Sequence, residues 1–216
     1  MITAAGLIAA LRRWRASGLN RAVRAALSAL LLGSWVAWVI FVYVRGWSSV
    51  GTLLPMNLCD WATIVVTISL LFPNQWSYEL AYFWGLGGTL QALITPALAL
   101  DFPDPAFVIF FVLHGGVIVS VLFLTIDEGM RPWPSSIPRV AFWSLVYLVS
   151  ALAVNALFGT NFGFLGAKPA EPSLLDYLAP WPGYIFEVIL LGAIIIVLLY
   201  APYFIHDWIA ARRARR

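Results

Sequence analysis

Six times along this chain an apolar stretch of about 20 residues appears, the length an α-helix needs to cross the hydrocarbon of a bilayer. The stretches cover roughly 25–44, 53–72, 79–99, 105–126, 139–158 and 183–205. Of the 216 residues, 62% are hydrophobic and only 11% charged, against about 25% charged in soluble domains. A soluble core of that size has nowhere to put such a surplus, whereas lipid does. In lipid the backbone must satisfy its own hydrogen bonds, which leaves helices or a closed barrel. Barrel strands would be about 10 residues long and alternating, so the expected class is all-α: a polytopic membrane protein of about six spans.

The ends of the chain complete that division. Residues 1–18 carry Leu7, Ile8, Leu11 and Trp14 beside Arg12, Arg13 and Arg15. Charge follows the apolar start there, the reverse of a signal peptide, so a short amphipathic interfacial helix is expected. A transmembrane domain over 19–210 and a basic tail over 211–216 follow. With an even number of spans, Arg12, Arg13, Arg15, Arg21, Arg24, Arg131, Arg139, Arg212, Arg213, Arg215 and Arg216 share one side. Only Arg45 and Lys168 fall on the other. The positive-inside rule makes the arginine-rich side cytoplasmic, with both termini there. No basic run resembles a nucleic-acid arm, and a single cysteine excludes an internal disulfide and an all-cysteine metal site. No metal or cofactor is expected. The partners implied are membrane lipids.

Depth sorts the polar residues. Cys59 falls about 9 Å below the outer boundary and His114 about 13 Å, each counted from the outer end of its own span. Asn57 and Asp60 flank the cysteine, Gln91 and Thr95 lie in the outer half of the third span, and Asn155 and Glu187 lie near the outer ends of the fifth and sixth. The inner halves are nearly pure Leu, Ile, Val and Phe. Polar groups in mid-membrane normally face a bundle interior or a wet cavity, so an outward-opening cavity lined by spans two to six is expected. Glycines 85, 87, 88, 115 and 116 would let the third and fourth spans approach closely. Each polar residue also has a plain structural reading: Cys59 as a small apolar filler, His114 as a helix–helix hydrogen-bond donor, Asp60 and Glu187 as partners of amide side chains. The connection 159–182 is long for a compact bundle and rich in aromatics, and Ser173 to Asp176 has the pattern of a capped turn.

LLPMNLCDWA at 53–62, YFWGLGGTLQALITP at 82–96, FFVLHGG at 110–116, NALFGTNFGFLGAKP at 155–169 and SLLDYLAPWPGY at 173–184 resemble the YwaF-like bacterial integral membrane proteins. That family is similar to a eukaryotic transmembrane lysophospholipid acyltransferase with a proposed catalytic cysteine, and more distantly to the androgen-induced membrane hydrolases. The resemblance implies a lipid-ester acyltransferase or hydrolase with Cys59 as nucleophile and His114 as base. Asn57, Asp60, Gln91, Asn155 and Glu187 would line the pocket or donate to an oxyanion, and Lys168 would hold a lipid headgroup. Met56–Asn57 stands where a Leu–His pair is expected. The same polar set also suits the outer vestibule of a transporter or channel, or a non-catalytic scaffold.

Overall fold

A computed structural model describes the backbone of residues 4–215 and the side chains of 18–215. Helix α1 runs Ala4–Val44, α2 Val50–Leu53, α3 Leu58–Leu71, α4 Gln75–Trp84 and α5 Leu90–Ile94, the last two joined by a π-helical segment, Gly85–Thr89. Helices α6 (Pro105–Ile126), α7 (Ser136–Phe158) and α8 (Gly183–Ala214) follow. The side chains of residues 1–17, where the interfacial helix is expected, lie outside the described residues.

Among the described residues five segments are long and apolar enough to cross a membrane, from Gly18–Val44 to Gly183–Ala214. The run 75–94 is not among them, and burial explains why. Ser77 through Gly85 are all buried, so this helix meets protein where the others meet lipid and tolerates Tyr, Ser, Glu and Gln. It is the hub of the bundle, packed on α3, α6, α7 and α8. At about 1.5 Å per residue its 20 residues still reach some 30 Å. The outer helices show the converse: Phe186, Leu190, Val197 and Leu198 of α8 are all more than half exposed, which is the surface lipid covers.

Side-chain contacts tie the two ends of the bundle. At one end Arg24 pairs with Glu128 at 3.5 Å, Arg131 with Asp207 and Arg139 with Glu79. The Tyr78 hydroxyl donates to the Met130 carbonyl at 3.0 Å. Hydrogen bonding to Asp207 holds the Arg131 guanidinium above its already high ordinary range. At the other end Arg45 pairs with Asp104 at 2.8 Å, and the Trp38 indole donates to the Thr52 carbonyl at 3.0 Å. The chain therefore passes between the ends six times. Residues 24 and 207 share one end.

The Glu79 carboxylate is fully buried while Arg139 is 36% exposed. An unpaired buried charge costs far more than an exposed one. Replacing Arg139 with Met is therefore expected to destabilise the fold by about 3–5 kcal/mol, and Glu79→Gln by clearly less. Thermal midpoints of both variants in one detergent check the order.

Two span boundaries differ from expectation. The second span is broken: Pro55 drives Leu54 into extended backbone (φ −77°, ψ 124°), as a residue before proline prefers. Asn57, at φ −80° and ψ 158°, then starts a new helix. Cys59 thus lies in the first turn of α3 rather than well along a continuous span. The third helix starts four residues early because the Asn74 side chain accepts from the Ser77 N–H and caps it. It stops at Ile94, just before Thr95–Pro96. The glycines pack tightly, but not all on one seam. A Cβ on Gly85 would sit 2.9 Å from Val121 of α6, on Gly87 3.1 Å from Ile195 of α8, and on Gly88 3.0 Å from Leu58 of α3. A Cβ on Gly116 would sit 2.7 Å from Leu30 of α1, and Gly115 faces open space. Only Gly85 joins the third and fourth spans.

Candidate functional site

The break at 54–57 decides how Cys59 is presented. The Asn57 N–H and side-chain amide both donate to the Asp60 carboxylate, at 2.8 and 3.1 Å. This is the returning arm of a capping box. The Asn57 side-chain oxygen, in place of capping α3, accepts from the Gly163 N–H at 3.2 Å. Asn57 and Asp60 thus lock the start of α3 and fasten it to the long connection. Cys59 is a free, half-buried thiol one and two turns from Ala62 and Val66, both 0% exposed. Those spacings place it on the inward stripe of α3.

His114 is held by its own helix. Its Nδ1 is 2.8 Å from the Phe110 carbonyl, and its ring stacks on Phe110 with centroids 3.9 Å apart. A carbonyl oxygen only accepts, so Nδ1 carries the proton and Nε2 carries the lone pair in the neutral ring. His114 is 5% exposed, and its Nε2 has no hydrogen-bond partner among the described residues. The expected helix–helix donor bond is therefore not made; the one bond formed stays within α6. What remains is an inward-facing imidazole with a fixed tautomer and a free basic nitrogen.

The π segment lies between these two residues. Gly88 packs on Leu58, next to Cys59, while Gly85 packs on Val117, one turn from His114. The thiol, the imidazole and the π segment thus occupy one level of the bundle. Cys59 and His114 are not joined by a hydrogen bond; they belong to facing helices around a shared hub.

The other expected residues separate into groups. Asn155 accepts from the Phe162 N–H at 2.7 Å and from the Thr160 hydroxyl at 2.9 Å, and donates to the Phe162 carbonyl at 3.0 Å. It therefore orders the start of the connection that also grips Asn57. Glu187 accepts from the Ala179 N–H at 2.8 Å. Lys168 donates to the Leu178 carbonyl at 2.8 Å and stands over the Tyr184 ring. These two hold the far half of the connection, where Ser173 caps the expected turn, Leu174–Tyr177. Gln91 is elsewhere. It donates to the Thr95 hydroxyl at 3.1 Å and lines an open apolar groove of about 300 Å³ with Leu86, Leu90, Ile195 and Leu199. Neither Cys59 nor His114 lines that groove.

One residue beside the cysteine has no signal in the pattern of spans. Tyr147 of α7 is 8% exposed, stacks edge-on against Trp61, and leaves its hydroxyl without a hydrogen-bond partner among the described residues, next to the first turn of α3. Gly163 makes room for it: a Cβ there would stand 2.6 Å from that hydroxyl, and its φ of +65° already suits glycine. No group of three or more His, Cys, Asp or Glu that could hold a metal occurs among the described residues.

The model of the TMEM164 family matches residues 1–200 of the chain. No curated protein and no solved structure matches it.

Proposed function

We propose that this chain, which belongs to the TMEM164 family of transmembrane proteins, is an intramembrane lipid-ester acyltransferase or hydrolase that works through Cys59 and His114. The observation that carries the reading is the state of His114. Its Nδ1–H is tied to the Phe110 carbonyl, and its Nε2 is buried, unpartnered and on a helix that faces the cysteine around the π segment. A base held in one tautomer is what a thiol nucleophile needs. The resemblance of LLPMNLCDWA and FFVLHGG to the YwaF-like proteins, a family similar to a cysteine-dependent lysophospholipid acyltransferase, supports the same assignment.

In this reading His114 Nε2 takes the Cys59 proton as the sulfur attacks an ester carbonyl. The S–C bond forms, and the carbonyl π electrons move to oxygen. Collapse of that intermediate restores the C=O and breaks the ester C–O bond. His114 returns its proton to the leaving alcohol. The thioester on Cys59 then passes to a lysolipid hydroxyl or to water. The site lies at the end of the bundle opposite Arg24, Arg131 and Arg139, which by the positive-inside rule is the outer leaflet, with both termini cytoplasmic.

The test is an acyl-enzyme. Purified protein incubated with a radiolabelled phospholipid in liposomes is expected to acquire label that neutral hydroxylamine removes and that maps to Cys59. Lipid-independent solute flux without label would favour the vestibule of a transporter. For orientation, a reporter active only in the cytoplasm is expected to give signal when fused after Arg216. Silence there, with signal from a periplasmic reporter, would place the site in the inner leaflet.

A further inference from the structure

Helical serines and threonines in this protein hide their hydroxyls in the backbone. Ser34, Thr63, Thr67, Ser120 and Thr125 each donate to the carbonyl four residues back, at 2.7–2.8 Å. Thr89 does not. It is 0% exposed, and its hydroxyl has no partner among the described residues. The π geometry accounts for the difference. The Gly85 carbonyl, four residues back, instead accepts the Leu90 N–H, five residues on. Widening the helix to the i→i+5 pattern moves the Gly85 carbonyl out of the i−4 register in which the other helical hydroxyls find theirs.

Register gives the level and the helix face of Thr89. Gly85 faces Val117 of α6. Thr89 lies one π turn beyond Gly85, and His114 one α turn from Val117. The two helices run antiparallel, so both steps lead toward the end of the bundle where Cys59 sits. The residue before Thr89, Gly88, rests on Leu58, the residue before Cys59. Thr89 and His114 are thus two buried, unpartnered polar groups on facing surfaces at the level of the thiol. Ser28, another buried hydroxyl without a partner, is displaced the opposite way. Helix α1 meets Gly116 at Leu30 and Leu31, and Ser28 lies on the far side of that contact from His114.

We infer that Thr89 is a catalytic hydrogen-bond donor. Its hydroxyl donates to the carbonyl oxygen of the substrate ester as negative charge develops there. The inference rests on the thioester reading above and adds the group that stabilises its tetrahedral intermediate. A donor set before the reaction is worth more than one that must reorient, and a hydroxyl released from the backbone by a π segment is such a donor.

The test is Thr89→Val, which keeps the shape and removes the hydroxyl, with wild type and Thr89→Ser alongside in liposomes. Valine is expected to slow hydroxylamine-sensitive labelling of Cys59 by roughly 10²–10³-fold, the usual worth of one oxyanion donor. The effect is expected in kcat with little change in KM. Serine is expected to keep most of the rate. The thermal midpoint of the valine variant is expected to hold or rise, because an unpartnered buried hydroxyl is a cost to the fold. A purely structural threonine would give the reverse, a lower midpoint at unchanged rate per folded molecule. Wild-type labelling with an unaffected valine variant overturns the role of Thr89 alone. Absence of labelling in wild type overturns the thioester reading and this inference with it. Should valine lower the midpoint, Thr89→Ala replaces it, and alanine at wild-type rate is equally decisive against the role.

Discussion

Replacing Cys59 with alanine is expected to abolish both the acyl label and lipid-ester turnover while the protein keeps its thermal midpoint. The residue is half-buried in the first turn of α3, where alanine is a good helix former and the lost sulfur leaves only a small void. Nothing else in the chain can take the label as a thioester, because Cys59 is its one cysteine. Cys59→Ser is the sharper variant. It keeps an attacking atom in nearly the same place, but a hydroxyl depends far more on its base than a thiol does. Serine is therefore expected to fall well below wild type, and any acyl group it takes up should resist neutral hydroxylamine. Gel fluorescence of a clickable acyl chain, read before and after hydroxylamine, measures all three proteins together. An alanine variant that turns lipid esters over at wild-type rate would remove the enzyme reading.

Loss of His114 is expected to be the next largest effect. His114→Ala should slow acylation of Cys59 by roughly 10²–10⁴-fold, the usual worth of a positioned base. Without the imidazole the thiol must ionise unaided, so the residual rate should climb with pH as the thiolate fraction grows. A histidine that merely packs on Phe110 predicts no such recovery; its loss would lower the thermal midpoint at every pH. Labelling rates across pH 6–9, with midpoints in parallel, separate the two. His114→Asn adds a control. An amide can still donate to the Phe110 carbonyl but offers no basic nitrogen, so this variant should fold like wild type and react like alanine.

The ion pairs that close the arginine-rich end bear on the same experiments. They lie on the far side of the bundle from Cys59 and His114, so Arg139→Met should lower stability without altering the rate per folded molecule. That contrast gives a baseline against which losses at Cys59, His114 and Thr89 are read.

Much of this molecule is written along the chain, because lipid imposes a one-dimensional rule. Each crossing needs about 20 residues whose outer surface is apolar, and that is visible without knowing any contact. The fourth span, Pro105–Ile126, appears where the hydropathy places it. The capped turn at Leu174–Tyr177 follows from Ser173 and Asp176 alone, since its bonds are local. The gathering of Cys59, Asn57, Asp60 and His114 toward one end likewise follows from counting residues. Contacts between helices follow no such rule. A proline fits a first turn or breaks a span equally well along the chain; here Asn57, bound by Gly163 more than a hundred residues away, holds the new start of α3. Gln91 shares the depth of the cysteine but faces α8, because its direction around the helix is set by which neighbours the glycines admit. Tyr147 and Thr89 carried no mark as polar-site residues, since a tyrosine and a threonine in apolar spans are ordinary. It took the folded bundle to show that both hydroxyls are buried without partners. The sequence by itself determined that this is a helical membrane protein and where most of its long apolar helices lie, consequences of the solvent it folds in. Only the tertiary structure decided which nitrogen of His114 is free and which hydroxyl the π segment releases, because those depend on bonds a side chain fails to make.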